Sequence, residues 1–500
     1  MSSAEVRYRM ANLWQYKGNI DQAIKGYRET LNLEPTYVPV RLELGNLLVK
    51  QGEVDAAIEL YQEAMVINPQ EPIFQKKLEA LVNAQRFSLE SIPNQFRPEA
   101  PLVEQRSTIK SRLLLYADCP GIYGAGQCNH ILIRELAQKG FSCTFVQPKA
   151  SHHLVEERQG LGIEQMWIEE DDIFTPGGDL QSLWNCSEPE RIFASARPDL
   201  IIFCDGCPVS NLAAKQVACR LGIPYLVIVH CVTPSWAKKF SKYLGALRDA
   251  YQKATRVIAV SEENLSLLHQ LFQLPAHQGE VIHNGVHERF FSPKDVSIRE
   301  KILREIGVPL NGTLCLTVGR MDPVKGYQHQ LKAMEKLQMS VIWPNLFFGW
   351  VGVGGSEPRL RAWVDKLGFQ DRVKFLGERD DISDILNAAD MFVLPSHFEG
   401  MPLAITEAMA KGLPVAASGI SGVPEQLGNT GQLLTDPNKE PEKTISELVQ
   451  IIQYWAENSN SRRQVGKECK KRAQVMFRAD HMLQTYWEHI ERMLAEEKSV

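Results

Sequence analysis

Two hydrophobic patterns divide the chain. Before about residue 86, apolar residues recur at helical spacing, whereas from residue 112 onward short apolar runs alternate with helical stretches. Such runs are typical of strands that are buried in a parallel sheet. The first series lies at residues 113–116, 142–146, 200–203, 225–229 and 257–260, and the second at 313–318, 347–353, 373–376, 391–394 and 414–417. The alternation predicts an α/β fold of two Rossmann-like lobes facing a cleft, preceded by an all-α segment.

The all-α segment contains a repeat with a period of 34 residues. Small residues recur where two helices would cross, glycine recurs at the turn, and proline recurs at the end of the unit. The matched pairs are Asn12 with Asn46, Leu13 with Leu47, Gly18 with Gly52, Ala23 with Ala57, Tyr27 with Tyr61 and Pro35 with Pro69. This pattern resembles the tetratricopeptide helix–turn–helix, and a third helix over residues 73–85 would cap its open apolar end.

These patterns divide the chain into five parts. Repeats and their capping helix occupy residues 1–86, and a Pro-, Ser-, Gln- and Asn-containing linker occupies 87–110. The first lobe covers 111–292, and the second covers 293–478. Residues 479–500 form a final helix whose apolar face must dock elsewhere in the fold.

Composition excludes several functional classes. A net charge of −5 gives no basic excess for nucleic-acid binding. The apolar run Leu346–Val353 is much shorter than the ~20 residues that span a bilayer, and the N-terminus has no signal-peptide core, so we expect a cytoplasmic protein. The ten cysteines are scattered, and the single C-x-x-C at Cys204 and Cys207 has no second pair or nearby histidine. We predict no metal site and no cofactor.

The most informative segment lies between residues 396 and 414. Glu399 is in the loop after a buried strand, and Glu407 is on the helix that follows. This is where open α/β sheets bind their ligands. Two carboxylates could form the acid/base pair of a glycoside hydrolase. Glu407, however, is on a helix, and the same sheet carries residues suited to phosphate, which are described next. This context favours nucleotide binding over hydrolysis.

Two further segments indicate a phosphate ligand. Strand 314–318 runs into Gly319-Arg320, and Lys325 follows five residues later. Arginine and lysine at the end of a strand suit a diphosphate, because the guanidinium binds two oxygens and the ammonium adds a movable charge. In the first lobe, the turn Gly121-Ile-Tyr-Gly124-Ala-Gly126 precedes a helix, and such turns present N–H groups to anions. Its spacing differs from the dinucleotide-binding motif.

Taken together, these residues resemble the retaining GT-B glycosyltransferases of family 4, also called glycosyl transferases group 1. Three signatures match in order: the glycine-rich turn, the Gly-Arg…Lys-Gly segment, and Glu-Gly-Met-Pro-Leu…Glu-Ala-Met-Ala-x-Gly-x-Pro-Val. The segment 281–286, Val-Ile-His-Asn-Gly-Val, also resembles the junction between the lobes of that family. The likeness covers about residues 111–497. It implies that the first lobe, 111–292, is the acceptor side, that the second, 293–478, binds the nucleotide sugar, and that the last helix returns to the first lobe.

The resemblance implies a role for each matching residue. Arg320 and Lys325 would neutralise the diphosphate of a sugar nucleotide, and N–H groups of Gly124 and Gly126 would help across the cleft. Glu399 would bind hydroxyls of the donor sugar. The remaining positions of the implied donor site are Gly319, Gly400, Met401, Leu403 and the ribose-binding Glu407.

His230, at the end of strand 225–229, matches a family histidine near the donor sugar and the acceptor. A buried histidine of the core is an equally good interpretation. Many family members have an acidic residue next, where this chain has Cys231. The acceptor side of the chemistry therefore stays open.

The implied activity is metal-independent transfer of a hexose, with retained configuration, from a nucleoside-diphosphate sugar to a glycan, glycolipid or small molecule. One alternative is a protein O-glycosyltransferase whose repeats present a polypeptide. Another is a non-catalytic scaffold, which the joint presence of Arg320, Lys325, Glu399 and Glu407 disfavours. The repeats suggest a protein partner.

A basic and aromatic stretch follows His230. It contains Trp236, Lys238, Lys239, Phe240, Lys242 and Tyr243. A solvated amphipathic helix is the favoured interpretation. Peripheral contact with an anionic membrane is the alternative.

Overall fold

The structure is a computed structural model. It describes residues 3–16, 19–50, 54–68, 70, 73–75, 77–78, 111–118, 124–149, 153–169 and 183–497. Two compact units, residues 1–107 and 108–500, make up the chain, and each is described by itself.

The first unit contains four long helices that pack in sequence, α1 on α2, α2 on α3 and α3 on α4. They are α1 Ser3–Tyr16, α2 Ile20–Leu33, α3 Val38–Lys50 and α4 Val54–Ile67. The Tyr27 hydroxyl donates to Asn12 Oδ1 at 2.6 Å, and the Tyr61 hydroxyl donates to Asn46 Oδ1 at 3.4 Å. The second Tyr–Asn pair is displaced from the first by 34 residues, so the same hydrogen bond recurs in each helical pair. The repeat in the sequence is therefore also a repeat of contacts.

Part of the predicted repeat lies outside the described residues. Gly18, Gly52, Pro69 and the linker 87–110 belong to this part. Of the capping helix, residues 73–75 and 77–78 are helical and the remainder is not described.

The first sheet of the second unit has seven parallel strands in the order β3-β2-β1-β4-β5-β6-β7. They are β1 Arg112–Ala117, β2 Ser142–Pro148, β3 Glu164–Ile168, β4 Leu200–Asp205, β5 Tyr225–Val229, β6 Arg256–Ala259 and β7 Glu280–Val281. The helices of this lobe are α5 Gly124–Gln138, α6 His153–Gly160, α7 Ser187–Ala196, α8 Leu212–Leu221, α9 Pro234–Lys239, α10 Leu244–Lys253 and α11 Glu262–Leu271. The order reverses between β1 and β4, so a crevice lies outside their carboxyl ends.

The second sheet has six parallel strands in the order β10-β9-β8-β11-β12-β13. They are β8 Thr313–Val318, β9 Leu346–Val351, β10 Val373–Gly377, β11 Met391–Leu394, β12 Val415–Ser418 and β13 Gln432–Leu434. Its helices are α12 Val296–Glu305, α13 Tyr327–Leu337, α14 Glu357–Leu367, α15 Ile382–Ala388, α16 Leu403–Ala410, α17 Val423–Leu427, α18 Pro441–Glu457 and α19 Ser459–Met476. The order reverses between β8 and β11, which are the two strands that carry the predicted phosphate and glutamate segments.

The chain crosses between the lobes twice, and the two crossings pair with each other. The Val286 N–H donates to the Phe477 carbonyl at 2.9 Å, and the Ala479 N–H donates to the Val286 carbonyl at 3.0 Å. The final helix, α20 Ala479–Glu497, then buries Met482, Tyr486 and Ile490 in the core of the first lobe. The apolar face of the last helix therefore packs on the first sheet.

Candidate active site

The turn after β8 packs directly on the end of β11. Gly326 ends the short 3₁₀ turn Pro323–Lys325 with φ +73°, and a Cβ added there would lie 1.9 Å from the carbonyl oxygen of Pro395. Only glycine fits this position, both for its backbone angle and for the space available. The close packing brings Lys325 against the loop that carries Glu399.

Lys325 and Glu399 form a nearly buried ion pair. The Lys325 Nζ lies 2.7 and 2.8 Å from the two carboxylate oxygens, and the Ser396 hydroxyl donates to Oε1 at 2.7 Å. Glu399 is only 6% exposed. A buried carboxylate needs such partners to remain charged. The sequence placed the segments of Lys325 and Glu399 only in the same sheet. In the structure they are in direct contact.

Arg320 lies on the same edge of the sheet but is more open. Its Nη1 is 3.1 Å from Asp322 Oδ2, and its side chain is 51% exposed. The preceding Gly319 is fixed by its N–H, which donates to the Val351 carbonyl at 2.9 Å, and by its carbonyl, which accepts from the Tyr327 hydroxyl at 2.8 Å. The backbone next to Arg320 is therefore held in place, while its guanidinium is half-exposed and paired with Asp322.

Glu407 has a different environment from Glu399. Burial raises the pKa of its carboxyl to about 7, and the charge of Arg289 only partly opposes the shift. Among the described residues, none donates a hydrogen bond to this carboxylate. The two glutamates are therefore not a coupled acid/base pair: Glu399 is ion-paired, whereas Glu407 is half-buried and receives no hydrogen bond from the described residues.

The loop between the two glutamates touches the first lobe. A Cβ added to Gly400 would lie 2.2 Å from the carbonyl oxygen of His230. The Asn284 amide donates to the Met401 carbonyl at 3.1 Å. Within the described residues, the N–H groups of Met401 and Leu403 have no hydrogen-bond acceptor. The site thus includes backbone donors next to Glu399 and a direct contact between the lobes.

His230 is buried, and one ring nitrogen is engaged. Its Nε2 lies 3.0 Å from Asn129 Oδ1, while Nδ1 has no hydrogen-bond partner in the described part of the chain. Burial lowers its pKa to about 4, so the imidazole is neutral at physiological pH. Cys231 lies in the field of Glu399, Lys325 and Arg320, and burial raises the pKa of its thiol.

Family models match both lobes and the repeats. The model for glycosyl transferases group 1 matches residues 298–472, the model for glycosyltransferase family 4 matches 122–290, and a tetratricopeptide-repeat model matches 3–81. The chain belongs to glycosyltransferase family 4. The resemblance read from the sequence is confirmed, and the protein is a glycosyltransferase that uses a nucleotide sugar.

Similar proteins agree with this membership. The chain is 26% identical to the 2-deoxystreptamine N-acetyl-D-glucosaminyltransferase of Streptomyces fradiae over 296 residues, which are 57% of this chain and 66% of that protein. It is 26% identical to the N-acetyl-alpha-D-glucosaminyl L-malate synthase of Bacillus anthracis over 373 residues, 73% of this chain and 93% of that one. The fold matches that of Anabaena HepE with a TM-score of 0.64 at 21% identity, covering 76% of this chain and 99% of HepE. The predicted GT-B fold with leading helices is confirmed.

The glycine-rich turn of this family 4 enzyme is described only in part. Gly121 lies outside the described residues, whereas Gly124 and Gly126 begin α5. Cys128, one turn further on, has a thiol pKa that is raised by burial and by the charge of Glu407. Cys128 of α5 therefore lies near Glu407 of the other lobe.

Three polar residues near the site were missed in the sequence. Asp118 follows β1 and accepts hydrogen bonds from the Gly206 N–H at 2.9 Å and from the Ser210 hydroxyl. Ser396 follows β11, and Asn129 lies on the buried face of α5. A polar residue directly after a buried strand at a reversal of strand order was the available signal for Asp118 and Ser396. Asn129 gave no such signal.

The basic and aromatic stretch after His230 is not a uniformly solvated helix. Phe240 and Tyr243 are buried in the first-lobe core, while Lys238, Lys239 and Lys242 are exposed. This division between exposed lysines and buried rings is that of an amphipathic segment, although the helix ends at Lys239 and a 3₁₀ turn, Ser241–Tyr243, follows it. Among the described helices, none is long and apolar enough to cross a membrane.

Proposed function

We propose that this enzyme transfers a hexose from a UDP-sugar to a glycan, glycolipid or small-molecule acceptor, with retention of configuration and without a divalent metal. The observation that carries the proposal is the Lys325–Glu399–Ser396 contact at the β8/β11 crevice. It brings together a cation suited to a leaving diphosphate and a carboxylate suited to sugar hydroxyls. The diphosphate and the sugar of one nucleotide-sugar donor can therefore bind next to each other here.

The diphosphate would lie at the end of β8. Arg320 and Lys325 supply two positive charges there, and charge that develops on the leaving group is stabilised by such preorganised cations. Gly319 has no side chain, so oxygen atoms can approach its backbone closely. The first turn of α5, with Gly124 and Gly126, adds helix N-terminal N–H groups from the opposite lobe.

The donor sugar would lie against the loop after β11. Glu399 accepts hydrogen bonds from sugar hydroxyls while Lys325 and Ser396 hold its carboxylate in place. The N–H groups of Met401 and Leu403, which have no acceptor within the described residues, would donate to the same sugar. Gly400 would keep the loop close to His230. The sugar would then be held between two carboxylate oxygens and two backbone donors.

The nucleotide ribose would lie against Glu407. No described residue donates a hydrogen bond to its carboxylate. Two vicinal ribose hydroxyls would donate one hydrogen bond to each of its oxygens. Binding them would return to the carboxylate the hydrogen bonds that burial has removed. We therefore expect bound donor to lower the pKa of Glu407 from about 7.

His230 would face the reacting centre as a neutral ring. With a pKa of about 4 it carries no charge at neutral pH, and Cys231 keeps its thiol protonated because burial raises its pKa. Neither group is then a ready base for the acceptor hydroxyl. In an attack on the same face as the leaving group, an oxygen of the departing diphosphate is the nearest base.

Support for a UDP-hexose comes from proteins that this chain resembles. Structures of Anabaena HepE contain UDP, UDP with glucose, or UDP-glucose. The Streptomyces and Bacillus relatives are named for transfer or attachment of N-acetylglucosamine. UDP-glucose and UDP-N-acetylglucosamine are therefore the donors to test first.

A thermal-shift panel of UDP-, GDP- and ADP-sugars tests the donor, because selective binding raises apparent stability. We expect the UDP-sugars alone to raise the melting temperature, with and without EDTA. The anomeric configuration of the product, read by NMR, then tests retention. Preference for a GDP- or ADP-sugar, loss of turnover with EDTA, or an inverted product would each contradict the corresponding part of the proposal.

The repeats would bind a protein partner or the carrier of the acceptor. Their match to the tetratricopeptide model supports this role, since stacked helical pairs expose an extended binding surface. A chain that begins at Thr108 should act on a small acceptor as well as the full chain does and should lose activity on the natural acceptor. Equal activity on both would exclude a docking role.

A further inference from the structure

An aromatic pair joins the two lobes beside the proposed donor sugar. Trp236 lies on α9, which begins just after His230, and Phe398 lies between His397 and Glu399. Their ring centroids are 5.7 Å apart with an interplanar angle of 71°. Both side chains are half-buried. No role for these two rings follows from the donor contacts described above.

Phe398 is rigidly placed. Before it, the His397 N–H donates to the Val324 carbonyl at 2.7 Å, and the His397 ring contacts Asn438 Oδ1 at 2.9 Å. After it, Glu399 is held by Lys325 and Ser396. A ring whose neighbours on both sides are fixed has little freedom to move with a ligand. It is therefore a preformed wall rather than an adaptable loop.

The pair lies where an acceptor must approach. The proposed donor sugar is held by Glu399, and the first lobe meets this loop at His230, whose carbonyl would be 2.2 Å from a Cβ on Gly400. An acceptor hydroxyl has to reach the sugar between these two lobes. Phe398 is adjacent to Glu399 in sequence, and Trp236 faces it from the acceptor-side lobe.

The size and border of this apolar corner indicate what binds there. Two half-buried rings set near a right angle expose only a short apolar surface, and aromatic faces pack well against C–H groups. The immediate neighbours are polar: His397 and Glu399 beside Phe398, and exposed Lys238 two residues after Trp236. A lipid chain would need a longer apolar groove. A pyranose presents an apolar C–H face with hydroxyls around it, which matches this arrangement.

We propose that Trp236 and Phe398 form the acceptor subsite of this enzyme and that its acceptor presents a saccharide ring, which packs against the exposed parts of these two side chains. The inference rests on the proposed function, because it places the acceptor relative to a donor sugar at Glu399. It adds that a sugar ring is the part of the acceptor that binds next to the donor.

The test uses the full chain with UDP bound, so that the donor half is filled. Saturation-transfer NMR is recorded with methyl glycosides of glucose, galactose and N-acetylglucosamine, and with L-malate and octanol as comparison probes. We expect at least one methyl glycoside to bind, with the strongest transfer to C–H protons of one ring face. Binding of malate or octanol but of no glycoside would overturn the inference.

Three variants locate the binding. Trp236→Ala and Phe398→Ala should each raise the dissociation constant of the bound glycoside at least tenfold, and should change that of UDP less than twofold. Trp343→Ala is the matched control, because Trp343 pairs with Phe369 at 4.9 Å and precedes β9, at the amino end of the sheet, away from the crevice. Unchanged glycoside binding in both cleft variants would refute the subsite. Failure of the unmodified chain to bind UDP would instead refute the proposed function.

Discussion

Replacement of Glu407 by glutamine should make the free protein more stable and its donor binding weaker. The change keeps the shape of the side chain and removes its ability to ionise. In the structure this side chain is half-buried, no described residue donates a hydrogen bond to its carboxylate, and desolvation raises its pKa from 4.5 to about 7. A raised pKa means that the folded protein accommodates the charged form poorly.

The size and sign of the effect follow from proton linkage. In the unfolded chain Glu407 loses its proton near pH 4.5, whereas in the folded protein it keeps the proton until about pH 7. Between these values the folded state binds more protons, so wild-type stability falls as pH rises, and the loss is complete above pH 7. At 1.36 kcal/mol per pKa unit, it amounts to about 3 kcal/mol. Glutamine avoids this loss.

Melting temperatures of the two proteins should therefore coincide near pH 4.5 and separate as the pH rises. Above pH 7 the variant should melt roughly 4 °C higher, given about 2 cal/mol/K of unfolding entropy per residue in a unit of this size. Glu468→Gln, a change at an exposed position on α19, is the matched control and should show no such pH-dependent gain. A Glu407→Gln variant that is no more stable than wild type at pH 8, or whose advantage does not depend on pH, would refute the reasoning.

Donor binding provides the second readout of the same variant. If the ionised carboxylate binds the ribose, the UDP dissociation constant of wild type should rise up to tenfold for each pH unit below 7. The variant should bind UDP more weakly at pH 8 and should lose this pH dependence. Stability and affinity would then move in opposite directions at one residue, as expected where a binding site retains an unfavourable charge. UDP affinity that is independent of pH in both proteins would exclude Glu407 as the ribose ligand.

Two further substitutions test the remaining donor contacts. Arg320→Ala should lower kcat at least 100-fold with a melting temperature within about 1 °C of wild type, because an exposed ion pair contributes little to stability; Arg361→Ala, also 51% exposed and paired with Glu357, should leave kcat unchanged. Gly400→Ala should lower kcat/KM at least tenfold, because its Cβ would lie 2.2 Å from the His230 carbonyl and would separate the lobes. Wild-type kinetics in either variant would contradict the corresponding contact.

The two sheets could be predicted from the sequence because most of their strands are continuous apolar runs. All ten predicted strands exist, with ends displaced by a few residues. The three missed strands gave a weaker signal: β3 begins with two polar residues and is only partly buried, β7 has two residues, and β13 leaves two of its three residues exposed. A central strand of a parallel sheet is covered on both faces, whereas an edge strand needs fewer apolar residues. Three of the four edge strands were therefore not determined by sequence pattern alone, whereas the fourth, β10, was predicted.

The contact between Lys325 and Glu399 shows what strand order adds. The local sequence around either residue does not indicate that the two form an ion pair, and 74 residues separate them. Because β8 and β11 are neighbours at the point where the strand order reverses, their following turns meet, and Gly326 allows the approach. The sequence could place both residues at one edge of the sheet. The ion pair itself, and the part of Ser396 in it, required the packed structure.

The two halves of the site differ in how they are encoded. The proposed donor half comes largely from two short segments of one lobe, so motifs within each segment carry most of its chemistry. The proposed acceptor half would be assembled from single residues after β5 and β11: His230, Trp236 and Phe398. None of these residues belongs to a motif in its own segment. They come together only because the two lobes pack against each other. A change of one of these side chains can then alter the acceptor without altering the donor segments. We therefore expect acceptor specificity to depend on the aromatic pair between the lobes and not on a sequence motif.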